Sequence, residues 1–366
     1  MLVHGKEKVR MIAKIRAWIK DNGYEGVIIS RRDNYTWITQ GDENHVLTNT
    51  EMGITFLLIT IDTIQLYADC SDVRRMQEEQ NSIGAQVIEV PWYESIEKVL
   101  QQAILDRSIV SDSGVLKTKN VQEQLVELRL SLNECQIERY RKVGKSCAEV
   151  VECVCMDAKL GQTENEIAYW VKEGCLRQGI SPDCILVGSD ERIIKYRHPM
   201  PTDKKIEKSL IVVLGGAKYG LNISLTRMVS FEALSLEVTE KYRKIQIIFA
   251  TMQLMMRDKM SSRVYFEKLQ EIYQQLGYED EWKKHHQGGP TGYACRELII
   301  TPNSEWVLSA GQAYAWNPSI TGVKCEDTTY LSAQGVENFT QTAKWPRKRV
   351  VSAYGTMDVA EILVKQ

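Results

Sequence analysis

The chain has 366 residues, with 46 basic and 48 acidic side chains, so its formal net charge is −2. This balance argues against a nucleic-acid-binding surface as the main function. An apolar fraction of 43% and a charged fraction of 26% are typical of folded proteins and exclude a disordered chain. At about 150 residues per domain, the length predicts two domains.

Neither a membrane span nor a secretion signal is expected. No run approaches the length of apolar sequence that crosses a bilayer, and the N-terminus lacks an apolar signal core. We therefore expect a cytoplasmic protein that contacts neither membrane nor nucleic acid. The nine cysteines are scattered and odd in number, which fits free thiols in a reducing compartment. The closest pair, Cys153 and Cys155, is not the CxxC spacing of a zinc site.

The first third of the chain alternates predicted strands and helices. The helices are predicted at 6–22, 71–80 and 95–106, and the strands at 26–30, 53–60, 64–67, 87–90 and 108–115. This alternation predicts an α/β domain with a mixed sheet. No G-x-G-x-x-G motif follows the first strand, which argues against a dinucleotide site. The charged segment 31–35 is interpreted as a loop, either carrying a ligand or simply solvated.

A predicted linker helix at 119–131 places the domain boundary near residue 130. The predicted domains are therefore 1–130 and 131–366. Asn133 is a predicted N-cap, and Thr163 with Glu166 fits a capping box. The second domain is predicted to be α+β, with helices at 134–157, from 163, at 235–258 and at 263–276, and strands at 185–188, 210–219 and 223–231, followed by a β-rich region.

Four segments of the second domain carry its chemically informative residues. They are RHPMP (197–201), LGGAKYGLNISLTR (214–227), HHQGGPTGY (285–293) and WNPSITGVKCED (316–327). In order and spacing they resemble peptidase family M24, which includes Xaa-Pro aminopeptidases, prolidases, methionine aminopeptidases and creatinase. The resemblance implies a creatinase-type N-terminal α/β domain, a pita-bread α+β C-terminal domain and a homodimer. It also implies a cleft for a small-molecule or short-peptide ligand.

Active members of this family hold two divalent metals with two Asp, one His and two Glu side chains. The motif match assigns these positions to Leu214, Ser224, Pro290, Asn317 and Glu326. Two of these residues have no side-chain donor, and a single carboxylate does not balance two divalent ions. We therefore expect no metal ligands and no cofactor.

The polar residues that remain form a candidate site. By resemblance, His198 and His286 match family histidines that contact substrate, and Glu326 is the expected partner of His198. These three residues are the catalytic candidates, because an imidazole suits proton transfer near neutral pH. The substrate-binding candidates are Arg227, Tyr293, Arg296 and Asn317.

Several of these residues have a structural alternative. Arg227 either binds a substrate carboxylate or forms an ion pair with Glu326 or Asp327. The aromatic side chains of Trp282, Tyr293 and Trp316 either wall a pocket or belong to the core.

Two further expectations concern the segment that begins at His285. Adjacent residues of a strand point to opposite faces, so we expect His286 but not His285 to face the pocket. The glycine-rich stretch 287–292 lacks the lysine of a phosphate-binding loop and is predicted to be a tight turn lining the pocket.

Three functions remain open. The first is metal-independent hydrolysis of a C–N bond in a small polar substrate, as the resemblance to creatinase implies for a histidine at position 198. The second is a non-catalytic pseudo-peptidase that binds a peptide or protein. The third is an Xaa-Pro aminopeptidase or dipeptidase with unusual metal ligands.

Overall fold

The computed structural model describes the backbone of residues 2–365 and the side chains of residues 7–365. The chain divides into two compact units between Arg129 and Leu130. Within the described residues, no helix combines the length and the apolar character needed to span a membrane.

The N-terminal unit is built on a six-stranded sheet. Its helices are α1 (Leu2–Asp21), α2 (Arg32–Thr39), α3 (Val73–Glu79), α4 (Ile96–Ala103) and α5 (Gln122–Leu130). Its strands are β1 (Gly26–Arg31), β2 (Met52–Thr60), β3 (Ile64–Asp69), β4 (Gln86–Val90), β5 (Ile109–Ser111) and β6 (Lys119–Asn120). The strand order is β4-β3-β2-β1-β5-β6, in which β1 is antiparallel to β2 and parallel to β5. The predicted mixed sheet is therefore confirmed.

The loop predicted at 31–35 is wrong, because helix α2 begins at Arg32. Its first turn is tied to α5: the Arg129 guanidinium donates hydrogen bonds to Asp33 and Asn34. Asn34 also donates to Asp112 at the end of β5. The charged first turn therefore belongs to a buried polar network, whose distant partners do not appear in any local sequence pattern.

The C-terminal unit contains the remaining helices and strands. Its helices are α6 (Glu134–Asp157), α7 (Glu164–Arg177), α8 (Glu191–Lys195), α9 (Leu236–Met255) and α10 (Ser262–Gln275). The first strands are β7 (Ser181–Ser189), β8 (Ser209–Lys218), β9 (Leu221–Ser230), β10 (Met260–Ser261), β11 (Gly288–Thr291), β12 (Val307–Leu308) and β13 (Gln312–Trp316). The last strands are β14 (Ser319–Ile320), β15 (Val323–Lys324), β16 (Asp327–Ser332), β17 (Gly335–Asn338), β18 (Arg347–Ser352), β19 (Gly355–Ala360) and β20 (Leu363–Val364).

Two four-stranded sheets of this unit meet through β9. One has the order β20-β9-β8-β7 and the other the order β11-β13-β16-β17. They are joined by an antiparallel bridge between Thr226 and Glu326. Every residue of β9 is buried, as expected for a strand covered on both faces. Core residues such as Ile245, Phe249 and Tyr265 come from the helices α9 and α10.

Both predicted helix starts are confirmed. The Asn133 side chain accepts a hydrogen bond from the Gln136 amide at the start of α6, and Gln136 reciprocates. The Thr163 hydroxyl accepts from the Glu166 amide at the start of α7, and the Glu166 carboxylate accepts from the Thr163 amide. Each capping box satisfies two amides that a helix leaves free.

We expect Thr163→Ala to lower the free energy of unfolding by about 1 kcal/mol, since the Glu166 amide loses its acceptor. Urea unfolding followed by circular dichroism measures the change. Thr163→Ser, which keeps the hydroxyl, is the matched control and should match the parent protein. Equal stability of the Ala and Ser variants would contradict the role of the cap.

Candidate functional site

The candidate site is built around Glu326, where the two sheets of the C-terminal unit meet. The bridge to Thr226 fixes Glu326 against β9. Trp316 pairs with Asp327, and the Cys325 amide donates to the carbonyl of Pro318. The segment that contains Asn317 therefore runs alongside the segment that contains Glu326.

The Glu326 carboxylate is enclosed by donors. Its side chain is only 3% exposed and forms ion pairs with Arg296 at 3.0 Å and Lys324 at 2.8 Å. The Thr226 hydroxyl donates a third bond at 2.7 Å. Burial alone would raise the pKa of this carboxyl group, but Lys324, Arg296 and Thr226 hold the pKa of Glu326 at about 2. Glu326 is therefore ionised at neutral pH, and its oxygens are already engaged.

Arg296 connects Glu326 to a second position on β9. Its Nη2 donates to Glu326 and its Nη1 donates to the Ser224 hydroxyl at 2.9 Å. The Cys295 thiol lies 3.7 Å from the same hydroxyl. The Arg296 guanidinium therefore joins two of the five motif-assigned positions, and its substrate-binding role stays a prediction.

Three histidines lie together at the edge of this cluster. The Nε2 atoms of His198 and His285 are 3.0 Å apart, and the rings of His285 and His286 stack with centroids 4.3 Å apart. The expectation that His285 points away is therefore wrong. It assumed that both residues belong to one strand, whereas both precede β11. His198 contacts His285, and Glu326 acts on His198 through its charge, so the predicted partnership of His198 with Glu326 stays a prediction.

The surroundings favour neutral imidazoles. Burial, reinforced by the charge of Lys324, lowers the pKa of His285 to about 3. Burial and then the charge of Arg296 lower the pKa of His286 to about 4. The more exposed His198 has its pKa lowered from 6.5 by burial and by Lys324. At neutral pH the three rings are therefore uncharged, and each can accept or donate a proton.

The ligating atoms of these histidines lie within 4.8 Å of one another, a separation that a metal ion could bridge. However, a metal lies close to the plane of each imidazole that binds it. The rings of His285 and His286 are stacked at an interplanar angle of 28°, so their nitrogen lone pairs do not converge on one point. The arrangement is better suited to proton exchange between His198 and His285.

Arg227 has a structural role, so the prediction that it binds substrate is wrong. Its side chain is 0% exposed and forms ion pairs with Glu152 and Asp327, each at 2.9 Å. It also donates to the backbone oxygens of Thr226 and Thr340. Of the alternatives left open by the sequence, the ion pair with Asp327 is the one that forms.

The predicted aromatic wall consists of packing residues. Trp316 is fully buried and stacks on Tyr265, while Trp282 packs edge-on against Phe266. The Tyr293 hydroxyl accepts a hydrogen bond from the buried Gln136 of helix α6, and its substrate-binding role stays a prediction. Each ring fills space between elements of the C-terminal unit.

The glycine-rich segment is a strand, so the predicted tight turn is wrong. Residues Gly288–Thr291 form β11, which pairs with β13 on one side. On the other side, the backbone of Ile300 donates to Gly288. A Cβ atom on Gly289 would lie 2.2 Å from the carbonyl oxygen of Leu298. Glycine is therefore required here by the close approach of two backbones.

Comparison with known proteins identifies the family. The description "Metallopeptidase family M24" matches residues 138–333, and "Creatinase/Prolidase N-terminal domain" matches residues 11–131. The first match covers more than half of the chain, so this protein belongs to metallopeptidase family M24. Its fold is a creatinase-type N-terminal domain followed by a pita-bread domain, as the sequence predicts.

Relatives and solved structures agree with this assignment. An Xaa-Pro dipeptidase from Pyrococcus furiosus is 22% identical over 93% of this chain and 99% of its own length. The prolidase structure from Pyrococcus horikoshii OT3 has a TM-score of 0.77 at 18% identity, covering 91% of this chain and 98% of the prolidase. The N-terminal domain of the FACT complex subunit SPT16 from Cicer arietinum has a TM-score of 0.68 at 11% identity, covering 93% and 97%.

The residues at the five motif-assigned positions do not fit two divalent ions. Leu214 is fully buried and Pro290 lies within β11, and neither offers a donor. The Ser224 hydroxyl is bonded to Arg296, and the Glu326 oxygens are bonded to cations of the chain itself. Asn317 is 3% exposed and its Oδ1 has no hydrogen-bond partner. A single neutral oxygen is a weak ligand set for the metals this family uses.

Sequence reasoning missed Lys324, which contacts Glu326 as closely as Arg296 does. A signal was available, because residues two apart in an extended segment share a face, and Lys324 precedes Glu326 by two. It also missed His285, whose orientation depends on a backbone conformation that the sequence did not reveal.

We expect Arg227→Met to lower the free energy of unfolding by about 3–5 kcal/mol, because Glu152 and Asp327 would remain as buried carboxylates without their shared cation. The matched control is Arg141→Met, which removes an ion pair with Glu337 from the surface and should cost less than about 1 kcal/mol. Denaturant unfolding measures both. Equal losses in the two variants would contradict the assigned role.

The low pKa of His285 predicts an acid-dependent loss of stability. Below pH 6.5 the unfolded imidazole takes up a proton while the folded one stays neutral until about pH 3. Unfolding is therefore favoured increasingly as the pH falls through this window. As the pH falls from about 6.5 to 4.5, we expect the free energy of unfolding of His285→Gln to decrease by about 1–2 kcal/mol less than that of the parent. Urea unfolding at each pH measures this free energy, and His45→Gln in the N-terminal unit is the control. If the stability of His285→Gln falls with pH in parallel with that of the parent, the prediction is refuted.

Proposed function

We propose that this chain is a metal-independent member of family M24 that hydrolyses a C–N bond in a small polar substrate. His198 is the acid and base, and His285 is its hydrogen-bonded partner. The observation that carries the proposal is that the Glu326 carboxylate forms ion pairs with Arg296 and Lys324. The carboxylate that motif matching assigns to a metal is neutralised by two cations of the chain, so this site differs chemically from a dinuclear metal centre.

The proposed reaction needs only water and a proton carrier. His198 Nε2 faces His285, so its Nδ1 is the nitrogen left to approach a substrate. As water adds to the carbon, its proton passes to His198, and the water oxygen forms the new C–O bond. His198 then gives this proton to the departing nitrogen as the C–N bond breaks, which returns the imidazole to its neutral form. The nearby cations favour the developing negative charge on the oxygen of the reacting carbon.

A second function has specific support. All three bonds to the Glu326 carboxylate come from the protein, so this group is poorly placed to activate water. A binding protein that kept the family cleft for a peptide or protein has no need of such a group. The same fold occurs in a structure named as a FACT complex subunit. Tight binding of a ligand without turnover would favour this alternative.

A third function follows from the relatives that are named Xaa-Pro dipeptidases. It requires metal ligands other than those assigned by the motifs. Elemental analysis of the purified protein tests it directly. We expect Mn, Co, Zn and Fe each to be far below one ion per chain, and added chelator to leave turnover unchanged. Stoichiometric metal together with chelator-sensitive cleavage of Xaa-Pro dipeptides would replace our proposal.

Turnover by variants tests the role of His198. On the substrate found by screening small amides, amidines and guanidines, we expect His198→Ala to reduce kcat by about 10²–10⁴-fold. His45→Ala, which removes a histidine from the N-terminal unit, is the matched control and should retain the parent rate. Since the pKa of His198 is lowered, the parent rate should decline only below pH 6.5. An unchanged rate in His198→Ala would exclude His198 as the proton carrier.

A further inference from the structure

Two cysteines lie on the face of the β7-β8-β9 sheet that carries the candidate site. Cys184 pairs with Gly215 across β7 and β8, and Gly215 pairs with Ser224 across β8 and β9. Residues directly opposite each other in a sheet point to the same face. Cys184 and Ser224 therefore flank Gly215 on one face. The second cysteine, Cys295, contacts Ser224 on this face, with its sulfur 3.7 Å from the Ser224 hydroxyl oxygen.

Glycine at position 215 adds no side chain to the space between the two thiols. A Cβ atom on Gly215 would lie 3.0 Å from Cys184 Cβ, so the Cys184 side chain lies over the glycine. Since Cys295 contacts the next strand, the two sulfurs lie roughly one strand spacing apart, or about 5 Å. Cys295 belongs to the connection between β11 and β12, where the backbone can follow a movement of its sulfur.

The electrostatics of the two thiols agrees with this proximity. Desolvation raises the pKa of Cys184, and the charge of Cys295 raises it further, more than that of Glu326 does. Both cysteines are free and exposed. Cys147 and Cys175 form a second neighbouring pair, but both are fully buried. Of these two pairs, the one beside the candidate site is therefore open to a dissolved reagent.

We propose that Cys184 and Cys295 are a modification site, at which a low-molecular-weight disulfide converts the two thiols into a reversible disulfide bond. Cys295 reacts first, because Arg296 Nη1 lies 3.7 Å from its sulfur and offsets the charge of the attacking thiolate. This attack forms a mixed disulfide and releases half of the oxidant as a thiol. Cys184 then attacks the Cys295 sulfur, which forms the Cys184–Cys295 bond and releases the second thiol. The cysteines lose two protons and two electrons, and the oxidant gains both.

Bond formation would also act on the ion cluster around Glu326. Cys295 directly precedes Arg296, whose guanidinium donates to the Cys295 carbonyl, to Ser224 and to Glu326. Drawing the Cys295 sulfur towards Cys184 breaks its contact with Ser224 and moves the backbone that carries Arg296. The disulfide is therefore expected to weaken the ion pair between Arg296 and Glu326. As a means of regulating turnover this step rests on the proposed function, whereas the bond itself does not.

Oxidation of the full chain tests the pairing. The native protein is incubated with oxidised glutathione, the remaining thiols are blocked with iodoacetamide, and the non-reduced peptides are identified by mass spectrometry. We expect a peptide pair joined through Cys184 and Cys295, which dithiothreitol separates. The buried Cys147 and Cys175 should stay reduced until the protein is unfolded. Separate glutathione adducts on Cys184 and Cys295, or no reaction at either residue, would overturn the inference.

Variants then test the order of the two steps. Cys184→Ser should stop after the first step, so that Cys295 keeps a glutathione adduct that the parent protein resolves. Cys70→Ser removes an exposed thiol from the N-terminal unit and is the matched control, which should form the Cys184–Cys295 bond like the parent. Circular dichroism verifies that both variants fold. A folded Cys184→Ser variant in which Cys295 pairs with another cysteine of the chain would contradict the assigned partner.

Activity measurements distinguish this inference from the proposed function. If the disulfide forms and lowers a turnover that dithiothreitol restores, both proposals stand. If the disulfide forms in a protein that hydrolyses none of the screened substrates, the modification site stands and the catalytic proposal fails. If hydrolysis occurs but the two thiols give only separate adducts, the reverse holds. Turnover that is the same with and without the bond would overturn the regulatory role of the disulfide.

Discussion

An ionised carboxylate that is nearly fully buried organises the candidate site of the C-terminal unit. Glu326 is nearly fully buried, and the desolvation of such a group must be offset by charge and hydrogen bonds nearby. In this chain Arg296 and Lys324 provide that charge. Burial lowers the pKa values of the adjacent histidines, and the two cations add to this effect, Lys324 at His285 and Arg296 at His286. The position of Glu326 is itself set by the bridge that joins the two sheets.

Glu326 and Asp327 lie in two different electrostatic environments, because adjacent residues of an extended segment point to opposite faces. Asp327 points into a cluster with Arg227, Glu152 and Arg347, in which two cations balance two carboxylates. Glu326 points into a cluster with one cation in excess. The balanced side is buried in the core, and the unbalanced side lies beside the histidines of the candidate site. This difference explains why Arg227 and Arg296, both predicted to bind substrate, have different roles.

The sequence predicted the fold because its local patterns and family motifs agree with the packing. The capping boxes at Asn133 and Thr163 are local, and local signals survive into the structure. The failures are non-local or depend on irregular backbone. Helix α2 is held by Arg129, which is far away in sequence, and His285 belongs to the histidine cluster although it lies outside β11. For the site, the motifs brought Arg296 and Asn317 near Glu326, but pairing between side chains was not predictable from spacing.

The charges around Glu326 also act on proton transfer. Burial first, and then the charge of Lys324, lower the pKa of His198, whereas the charge of Glu326 raises it. An imidazole carries protons most effectively when its pKa is close to the ambient pH. The proton transfer proposed for His198 therefore depends on the balance between Lys324 and Glu326, two side chains that are paired with each other.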